Sequence, residues 1–354
     1  MINWLTRKRN GPIGVDLGTR SVKLVQFNGD RTQLLEAARW DMPMDDEGQR
    51  SADDLQHVLA DAIGQAREGR NFAGRDAVLC LGERELFVQN IRVESGDQQR
   101  LERQIFQEAA ARIPYPVAEA EIRYLDTIDV RQGDSTMREI ILLACHKPVL
   151  QQSLTIIEKA GLRPIAVDIE PAAMLRSQVH QFRRDEDIQQ RIMLVHVGFS
   201  KTAVVIAEGE DVLFIKYIPL GGREMDAAVA THLQMSAQDA RTIRRHNGDR
   251  RADQQDPDVA RSVAEAVRPV VNKLANELSM WIRYHSVTFR GKPLSKTLLT
   301  GGEASEELVE RVGEYVGLTC EIGYPLRSYS TLVQTGRHCQ WDVAAGLALR
   351  EANS

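Results

Sequence analysis

Hydrophobic and polar residues alternate in the stretch 12–27, close to the start of the chain. Apolar side chains at every second position of 13–17 are typical of a half-buried strand. Small and hydroxyl-bearing residues follow at 18–21, and a second apolar run occupies 22–25. The pattern predicts a strand, a tight turn and a return strand.

A similar pattern recurs in the second half of the chain, from Val195 onwards. In both copies an apolar segment, a glycine turn and another apolar segment precede a second glycine turn flanked by polar and acidic residues. Two such meanders predict an α/β fold with two duplicated lobes and a cleft between them. Five positions coincide when the copies are aligned: Val15, Gly18, Leu24, Val25 and Gly29 fall on Val195, Gly198, Val204, Val205 and Gly209.

The segment 84–165 is expected to be a small inserted α+β subdomain with its own sheet. Its pattern predicts a strand, a helix at 97–112, two strands and a helix at 147–160 that Gly161 ends. Further on, apolar spacing predicts a long helix at 259–287 that contains Pro269. The predicted division is an N-terminal tail at 1–10, a first lobe from 11–83, the inserted subdomain at 84–165, a connecting segment at 166–190, a second lobe at 191–335 with a helical part at about 223–290, and a C-terminal helix at 336–354 that returns to the first lobe.

Composition narrows the function classes. The chain has 354 residues, 43% hydrophobic and 27% charged, with a formal net charge of -5, so it lacks the basic balance of a nucleic-acid-binding protein. Four cysteines lie far apart without a CxxC pair, which disfavours disulfides and zinc and fits a reducing cytoplasm. No apolar run approaches the roughly 20 residues of a spanning helix. The tail combines a few apolar residues with Arg7, Lys8 and Arg9, which suits either a membrane surface or a disordered end.

The first hairpin is the main candidate for ligand chemistry. Free N–H groups in a turn such as 18–21 can take phosphate oxygens, and Asp16 would lie near a magnesium ion through water. A hairpin with an incidental aspartate is the alternative. A second candidate is Thr300–Glu303, where glycines between a strand and a helix suit the edge of a nucleotide, although they also suit a plain turn.

The order of these motifs resembles the actin-like ATPase superfamily. The hairpin VDLGTRSVKLV is similar to its first phosphate motif, VHVGFSKT occupies the place of the second, and TLLTGGEASEEL is similar to its adenosine motif. Glu170–Ala173 resembles the superfamily's first connecting segment. The inserted subdomain lies between the early strands and this segment, a position that resembles the bacterial branch that contains FtsA and PilM.

Within that branch the likeness is closer to the PilM family of type IV pilus assembly. The resemblance implies a cytoplasmic ATP-binding adaptor, located at the inner face of the inner membrane. It would dock on the N-terminal tail of a PilN-like membrane protein, through a groove near 84–165, and contact other pilus or secretion components. Five stretches carry the likeness besides the hairpin: Arg112–Pro116, Ala160–Pro164, Pro219–Gly222, Val267–Val270 and Gly346–Arg350.

The resemblance also implies the site residues. Glu170 takes the motif position of a residue that orients the attacking water, and Asp16 that of a magnesium ligand acting through water. The residues expected to bind ATP are Asp16, Gly18, Thr19, Arg20, Ser21, Lys23, His196, Gly198, Ser200, Lys201, Thr202, Gly222, Arg244, Arg245, Gly301, Gly302 and Glu303.

Two departures weaken the expectation of ATP hydrolysis. The second phosphate motif normally carries an aspartate where this chain has His196, and a neutral imidazole cannot supply that charge to magnesium. It could donate a hydrogen bond to phosphate, or simply be a satisfied histidine. Where the superfamily has a glutamate and then Lys-Arg around the ribose, this chain has Arg241, Arg244 and Arg245, which either bind nucleotide or are solvated. ATP binding is expected to be weak or even lost.

Two alternatives to an adaptor remain on the same fold. One is a working ATPase or phosphotransferase, which would need Glu170 as its general base. The other is an FtsA-like membrane-associated filament protein, which is less favoured because such chains carry a C-terminal amphipathic helix and this sequence ends shortly after Leu349.

Overall fold

A computed structural model describes residues 10–43, 52–132, 135–182, 189–249, 256–289, 292–331, 333 and 335–351. The predicted tail, apart from Asn10, lies outside the described residues.

The strands of the described chain are β1 Ile13–Leu17, β2 Ser21–Phe27, β3 Leu34–Asp41, β4 Asp76–Leu81, β5 Leu86–Glu94, β6 Ala120–Gln132, β7 Ser135–His146, β8 Arg163–Ile169, β9 Arg191–Val197, β10 Thr202–Glu208, β11 Asp211–Ile218, β12 Leu294–Thr300 and β13 Thr319–Ile322. Its α-helices are α1 Ala52–Arg67, α2 Gln98–Arg112, α3 Lys147–Lys159, α4 Glu170–Val179, α5 Gly222–Leu233, α6 Ala237–Asp249, α7 Pro257–Thr288, α8 Glu306–Val316 and α9 Asp342–Ala348.

Two five-stranded sheets share one strand order. The first runs β3-β2-β1-β4-β8 and the second runs β11-β10-β9-β12-β13. In the first, β1 pairs antiparallel with β2 and parallel with β4, and in the second β9 and β12 pair in parallel. The two hairpins of the sequence pattern therefore occupy the same positions in the two sheets, which confirms the predicted duplicated α/β fold.

The first sheet is covered by helices on both faces. Ile13 and Val15 on one face pack with Ile63 of α1 in one hydrophobic cluster. Val25 and Phe27 on the other face pack in a second cluster with the alanines of α9. A Cβ built on Gly14 would lie 2.1 Å from the carbonyl oxygen of Ala344, so only glycine allows α9 to lie this close to β1.

A third sheet, β5-β7-β6, belongs to the inserted segment and packs against α2. The predicted bounds 84–165 also include α3 and the start of β8. In the structure Ile156 and Ile157 of α3 join the first sheet's cluster with Ile63, and β8 pairs with β4 in that sheet. Because the amphipathic pattern of α3 follows β7 directly, sequence spacing alone groups it with the preceding strands.

The chain divides into two compact units. The first comprises Met1–Gln189, Ala207–Ile215 and Tyr324–Ser354, and the second comprises Gln190–Ile206 and Lys216–Gly323. The predicted second lobe, 191–335, thus includes two segments that the structure groups with the first unit. The predicted C-terminal helix corresponds to α9, which packs on β1 in the first unit.

Helices α5, α6 and α7 of the second unit pack around a cluster formed by Val229, Ala240 and Val263. Helix α7 is 32 residues long and continues through Pro269. It begins at Pro257, two residues before the predicted helix at 259–287. None of the helices in the described ranges combines the length and apolar character needed to cross a membrane.

Candidate functional site: two glycine turns and a buried ion-pair cluster

The first glycine turn joins β1 to β2. Asp16 faces Lys23 across the hairpin, and the Lys23 ammonium lies 2.7 Å from Oδ2 of Asp16. A Cβ built on Gly18 would lie 3.0 Å from the carbonyl oxygen of Ser21 and 3.7 Å from Nζ of Lys23. The tight turn therefore favours glycine, and the ammonium group lies beside it. A positive charge next to a turn suits an anionic ligand such as phosphate.

Asp16 belongs to a group of acidic side chains near Cys80. Burial raises the pKa of the Cys80 thiol well above its usual value, and the negative charges of Asp16, Glu170 and Asp168 raise it further. Glu170 is the first residue of α4 and is buried. Asp168 is held by Arg176 and Arg350, at 2.9 Å and 3.0 Å.

These carboxylates do not form a direct metal site. In the part of the chain that the structure describes, no three His, Cys, Asp or Glu side chains are arranged to hold a metal ion. Asp16 is instead paired with Lys23. The donor set therefore fits a magnesium ion carried by the ligand and its waters better than one bound directly by the protein.

The second glycine turn repeats the geometry of the first. A Cβ built on Gly198 would lie 3.0 Å from the carbonyl oxygen of Lys201, and the Gly198 N–H donates to that oxygen at 2.9 Å. Nε2 of His196 lies 3.5 Å from the Cβ position of Gly198. In the first turn, Oδ1 of Asp16 lies 3.8 Å from the Cβ position of Gly18. His196 therefore replaces the carboxylate in space as well as in sequence, and it is buried.

Side chains of the second turn have partners within the second unit. The Thr202 hydroxyl donates to the carbonyl oxygen of Leu220 at 2.7 Å and is buried. The Lys201 ammonium lies 4.4 Å from the centre of the Tyr217 ring. Ser200 lies in the turn itself, as Thr19 and Arg20 do in the first turn.

The N-terminus of α5 lies directly against the second turn. The Gly222 N–H donates to the carbonyl oxygen of Gly198 at 3.0 Å, and the Arg223 N–H donates to that of Phe199 at 2.8 Å. A Cβ on Gly221 would lie 2.5 Å from the Gly198 oxygen, so this approach needs glycine.

The loop after β12 reaches the same place. Gly301 has a φ of +96° and its Cβ position lies 2.5 Å from the carbonyl oxygen of Val197. The Glu303 N–H donates to that oxygen at 3.0 Å. The end of β9, the start of α5 and the loop Gly301–Glu303 therefore converge.

Glu303 is the centre of a buried ion-pair cluster. Its Oε2 accepts from Arg244 at 2.8 Å and its Oε1 accepts from Arg245 at 2.5 Å. Nε of Arg244 also donates to Asp226 at 2.7 Å. A Cβ built on Gly222 would lie 2.6 Å from the carboxylate carbon of Glu303, so the carboxylate packs directly on the first residue of α5.

The electrostatics of this cluster are uneven. Burial alone would raise the pKa of Glu303, but the Arg244 and Arg245 guanidinium groups outweigh it and lower that pKa. Burial raises the pKa of Asp226, which Arg244 only partly offsets, while Glu303 raises it further. Glu303 is therefore the more firmly ionised of the two acids.

Five of the residues predicted to bind ATP lie together in the second unit, and the side chains of three of them are bonded to one another. Gly222, Arg244, Arg245, Gly302 and Glu303 lie in one place. The Arg241 guanidinium lies 5.6 Å from the Phe199 ring.

Sequence reasoning missed two members of this site, Asp226 and Phe199. Asp226 lies between Met225 and Val229 on the buried face of α5, and an acid on such a face is a signal that could have indicated a buried cation. Phe199 has the Arg223 guanidinium 5.6 Å from its ring, as well as that of Arg241. No feature of the pattern around the turn indicated that pair of contacts.

Comparison with known proteins places the whole chain in one family. The family model for type IV pilus assembly protein PilM matches residues 14–352. A solved PilM-PilN type IV pilus biogenesis complex contains a chain that is 21% identical, with 96% of this chain and 98% of that chain covered at a TM-score of 0.78. The ethanolamine utilization protein EutJ from Carboxydothermus hydrogenoformans is 14% identical, with 96% and 89% covered and a TM-score of 0.57.

These likenesses agree with the duplicated sheets described above and confirm the actin-like ATPase fold expected from the sequence. The family match covers nearly the full length of the chain, including both glycine turns and the loop Gly301–Glu303. The chain therefore belongs to the PilM family of type IV pilus assembly proteins.

Proposed function

We propose that this protein is an adaptor of type IV pilus assembly that docks on the N-terminal tail of a PilN-like inner-membrane protein and responds to a nucleotide. The observation that carries the proposal is the match to the PilM-PilN complex, which covers 96% of this chain at a TM-score of 0.78. Family membership over residues 14–352 supports the same assembly role.

Nucleotide binding is supported by the two turns. Each is a glycine turn at the end of a central strand, and the first carries the Lys23 ammonium beside it. The candidate phosphate-binding residues in and beside the first turn are Asp16, Gly18, Thr19, Arg20, Ser21 and Lys23, and those in and beside the second turn are His196, Gly198, Ser200, Lys201 and Thr202. Magnesium would arrive with the phosphates and keep its waters, with Asp16 acting through one of them.

The place of action follows from the partner. An adaptor for the tail of a membrane protein works at the membrane without spanning it, on the cytoplasmic inner face of the inner membrane. The absence of a spanning helix from the described residues is compatible with this peripheral position.

The proposal requires coupling between nucleotide and tail. If nucleotide favours one of two conformations and the tail prefers the same one, each ligand strengthens the binding of the other by the same factor. Isothermal titration of the full chain with a synthetic PilN-like tail peptide, with and without magnesium-ATP, measures both affinities. We expect tail binding that magnesium-ATP strengthens.

Variants of the first turn test the site. Asp16→Ala is expected to weaken magnesium-ATP binding and the coupling to the tail, whereas Asp61→Ala, an exposed change on α1, leaves both intact. Circular dichroism verifies that each variant is folded. An absence of tail binding in every condition would rule out the adaptor.

One observation favours an ATPase or phosphotransferase as a second candidate. Glu170 is a buried carboxylate at the start of α4, and its charge acts on Cys80 together with that of Asp16. A general base needs such a position close to phosphate. Phosphate release that disappears in Glu170→Ala supports this enzyme, and its absence in the wild-type protein argues for an adaptor alone.

A further inference from the structure

The Glu303 carboxylate fills a position that a ligand would be expected to use. Only 1% of its side chain is exposed, and both oxygens accept from arginines. It also packs directly on Gly222, the first residue of α5. The carboxylate therefore has the partners that a bound anionic group would have.

The charges around Glu303 balance within the cluster. Arg244 and Arg245 face the carboxylates of Glu303 and Asp226, which gives two positive and two negative groups. A second anion cannot join this set without leaving excess negative charge in a buried place, which is costly. Because the acids already occupy these arginine contacts, a ligand anion can bind Arg244 and Arg245 only by taking over contacts that one of the acids makes now.

The geometry favours Glu303 as the acid that leaves. Arg244 would keep Asp226, whose Oδ1 accepts from its Nε at 2.7 Å. Arg245 would exchange Glu303 for the ligand, and its own Nε is buried without a hydrogen-bond partner among the described residues. Glu303 follows Gly301 in the loop after β12, whereas Asp226 is fixed within α5.

We propose that the Glu303 carboxylate is an internal anion that closes this subsite, and that a nucleoside di- or triphosphate binds only by displacing it from Arg245 and Arg244. The inference rests on the nucleotide binding of the proposed function and assigns Glu303 the role of a competitor. Weak nucleotide binding then results from a cluster that is already satisfied.

The test compares wild-type protein with Glu303→Ser and Glu303→Gln. Serine removes both the charge and the volume, whereas glutamine removes the charge and keeps the volume. Isothermal titration measures magnesium-ATP and, separately, inorganic pyrophosphate. We expect at least a tenfold gain in affinity for both ligands in Glu303→Ser and a smaller gain in Glu303→Gln.

Glu310→Gln is the matched control, because Glu310 is an exposed glutamate on α8 of the same unit. It should bind both ligands as the wild-type protein does. Circular dichroism establishes folding, and if Glu303→Ser does not fold, the isosteric Glu303→Gln decides the question.

The same preparations are titrated with the PilN-like tail peptide, so that the two proposals fail separately. Equal or lower ATP affinity in the folded Glu303 variants, or no binding in any of them, overturns the internal-anion role even where the tail binds. If the Glu303 variants gain ATP affinity but neither they nor the wild-type protein bind the tail peptide, the internal-anion role is supported and the adaptor proposal is ruled out.

Discussion

The Lys23 ammonium lies 2.7 Å from the Asp16 carboxylate across the first hairpin, and 8% and 11% of the two side chains are exposed. Neutralising one partner leaves the other charge buried without compensation. We therefore expect Asp16→Asn to lower the free energy of unfolding by about 3–5 kcal/mol, as measured by urea denaturation.

The double variant Asp16→Asn/Lys23→Met is the control for this pair. Removing both charges also removes the unpaired ion, so the double variant should recover most of the loss. Additive losses in the double variant would show that the two side chains act independently.

Arg244 supports two buried acids at once. Its guanidinium bonds to Asp226 and Glu303, so Arg244→Met removes the shared partner of two buried carboxylates and leaves Arg245 bonded to Glu303. We expect a loss of about 3–5 kcal/mol in the free energy of unfolding. The exposed i,i+4 pair of Arg311 with Glu307 is the comparison, and Arg311→Met should cost about 0.5 kcal/mol or less. Similar losses at the two sites would contradict the importance of the buried cluster.

Gly346 of α9 lies directly against Ala173 of α4. A Cβ at this position would lie 1.8 Å from the carbonyl oxygen of Ala173, so Gly346→Ala forces the two helices apart. We expect a loss of about 3 kcal/mol or more in the free energy of unfolding. The matched change is Gly64→Ala in α1, where a built Cβ has no described atom within 4 Å apart from the adjacent helix backbone, and the helix should gain about 0.5–1 kcal/mol. Thermal unfolding of both variants measures the contrast, and a stable Gly346→Ala would show that this contact is loose.

Much of the fold could be predicted because its signals are local. Period-two alternation indicated β1, the apolar run at 22–25 indicated β2, and the shifted copy indicated β9 and β10 in the same order. The structure adds that the two five-stranded sheets have equivalent strand orders. The place of α3 could not be predicted, because an amphipathic helix shows only that one face is buried and not which sheet buries it.

The site was predicted less completely for a related physical reason. Glycine spacing indicated Gly18 and Gly198, which lie in tight turns, and Gly301, whose backbone approaches Val197 closely. The same reasoning could not show that Glu303 pairs with Arg244 across 59 positions of sequence, since side-chain pairing depends on the tertiary contact. Glu303, which its motif assigned to ligand binding, is bonded to Arg244 and Arg245 in the structure.

The environment of His285 should make the free energy of unfolding depend on pH. This histidine is 1% exposed, its ring stacks on Phe289 at 5.2 Å, and its Nε2 has no hydrogen-bond partner within the described ranges. Burial, together with the charge of Arg191, lowers its pKa to about 4 from 6.5. The folded state thus holds a neutral imidazole, whereas the unfolded chain takes up a proton below pH 6.5.

Because the folded pKa is the lower one, His285 destabilises the fold as the pH falls from about 6.5 to 4, by at most about 1.4 kcal/mol per pH unit. His285→Phe cannot take up this proton, so its free energy of unfolding should depend less on pH in that window. Urea denaturation at a series of pH values measures the slope. His57→Phe, at an exposed position of α1, should keep the wild-type slope. An unchanged slope in His285→Phe would assign the acid sensitivity to other groups.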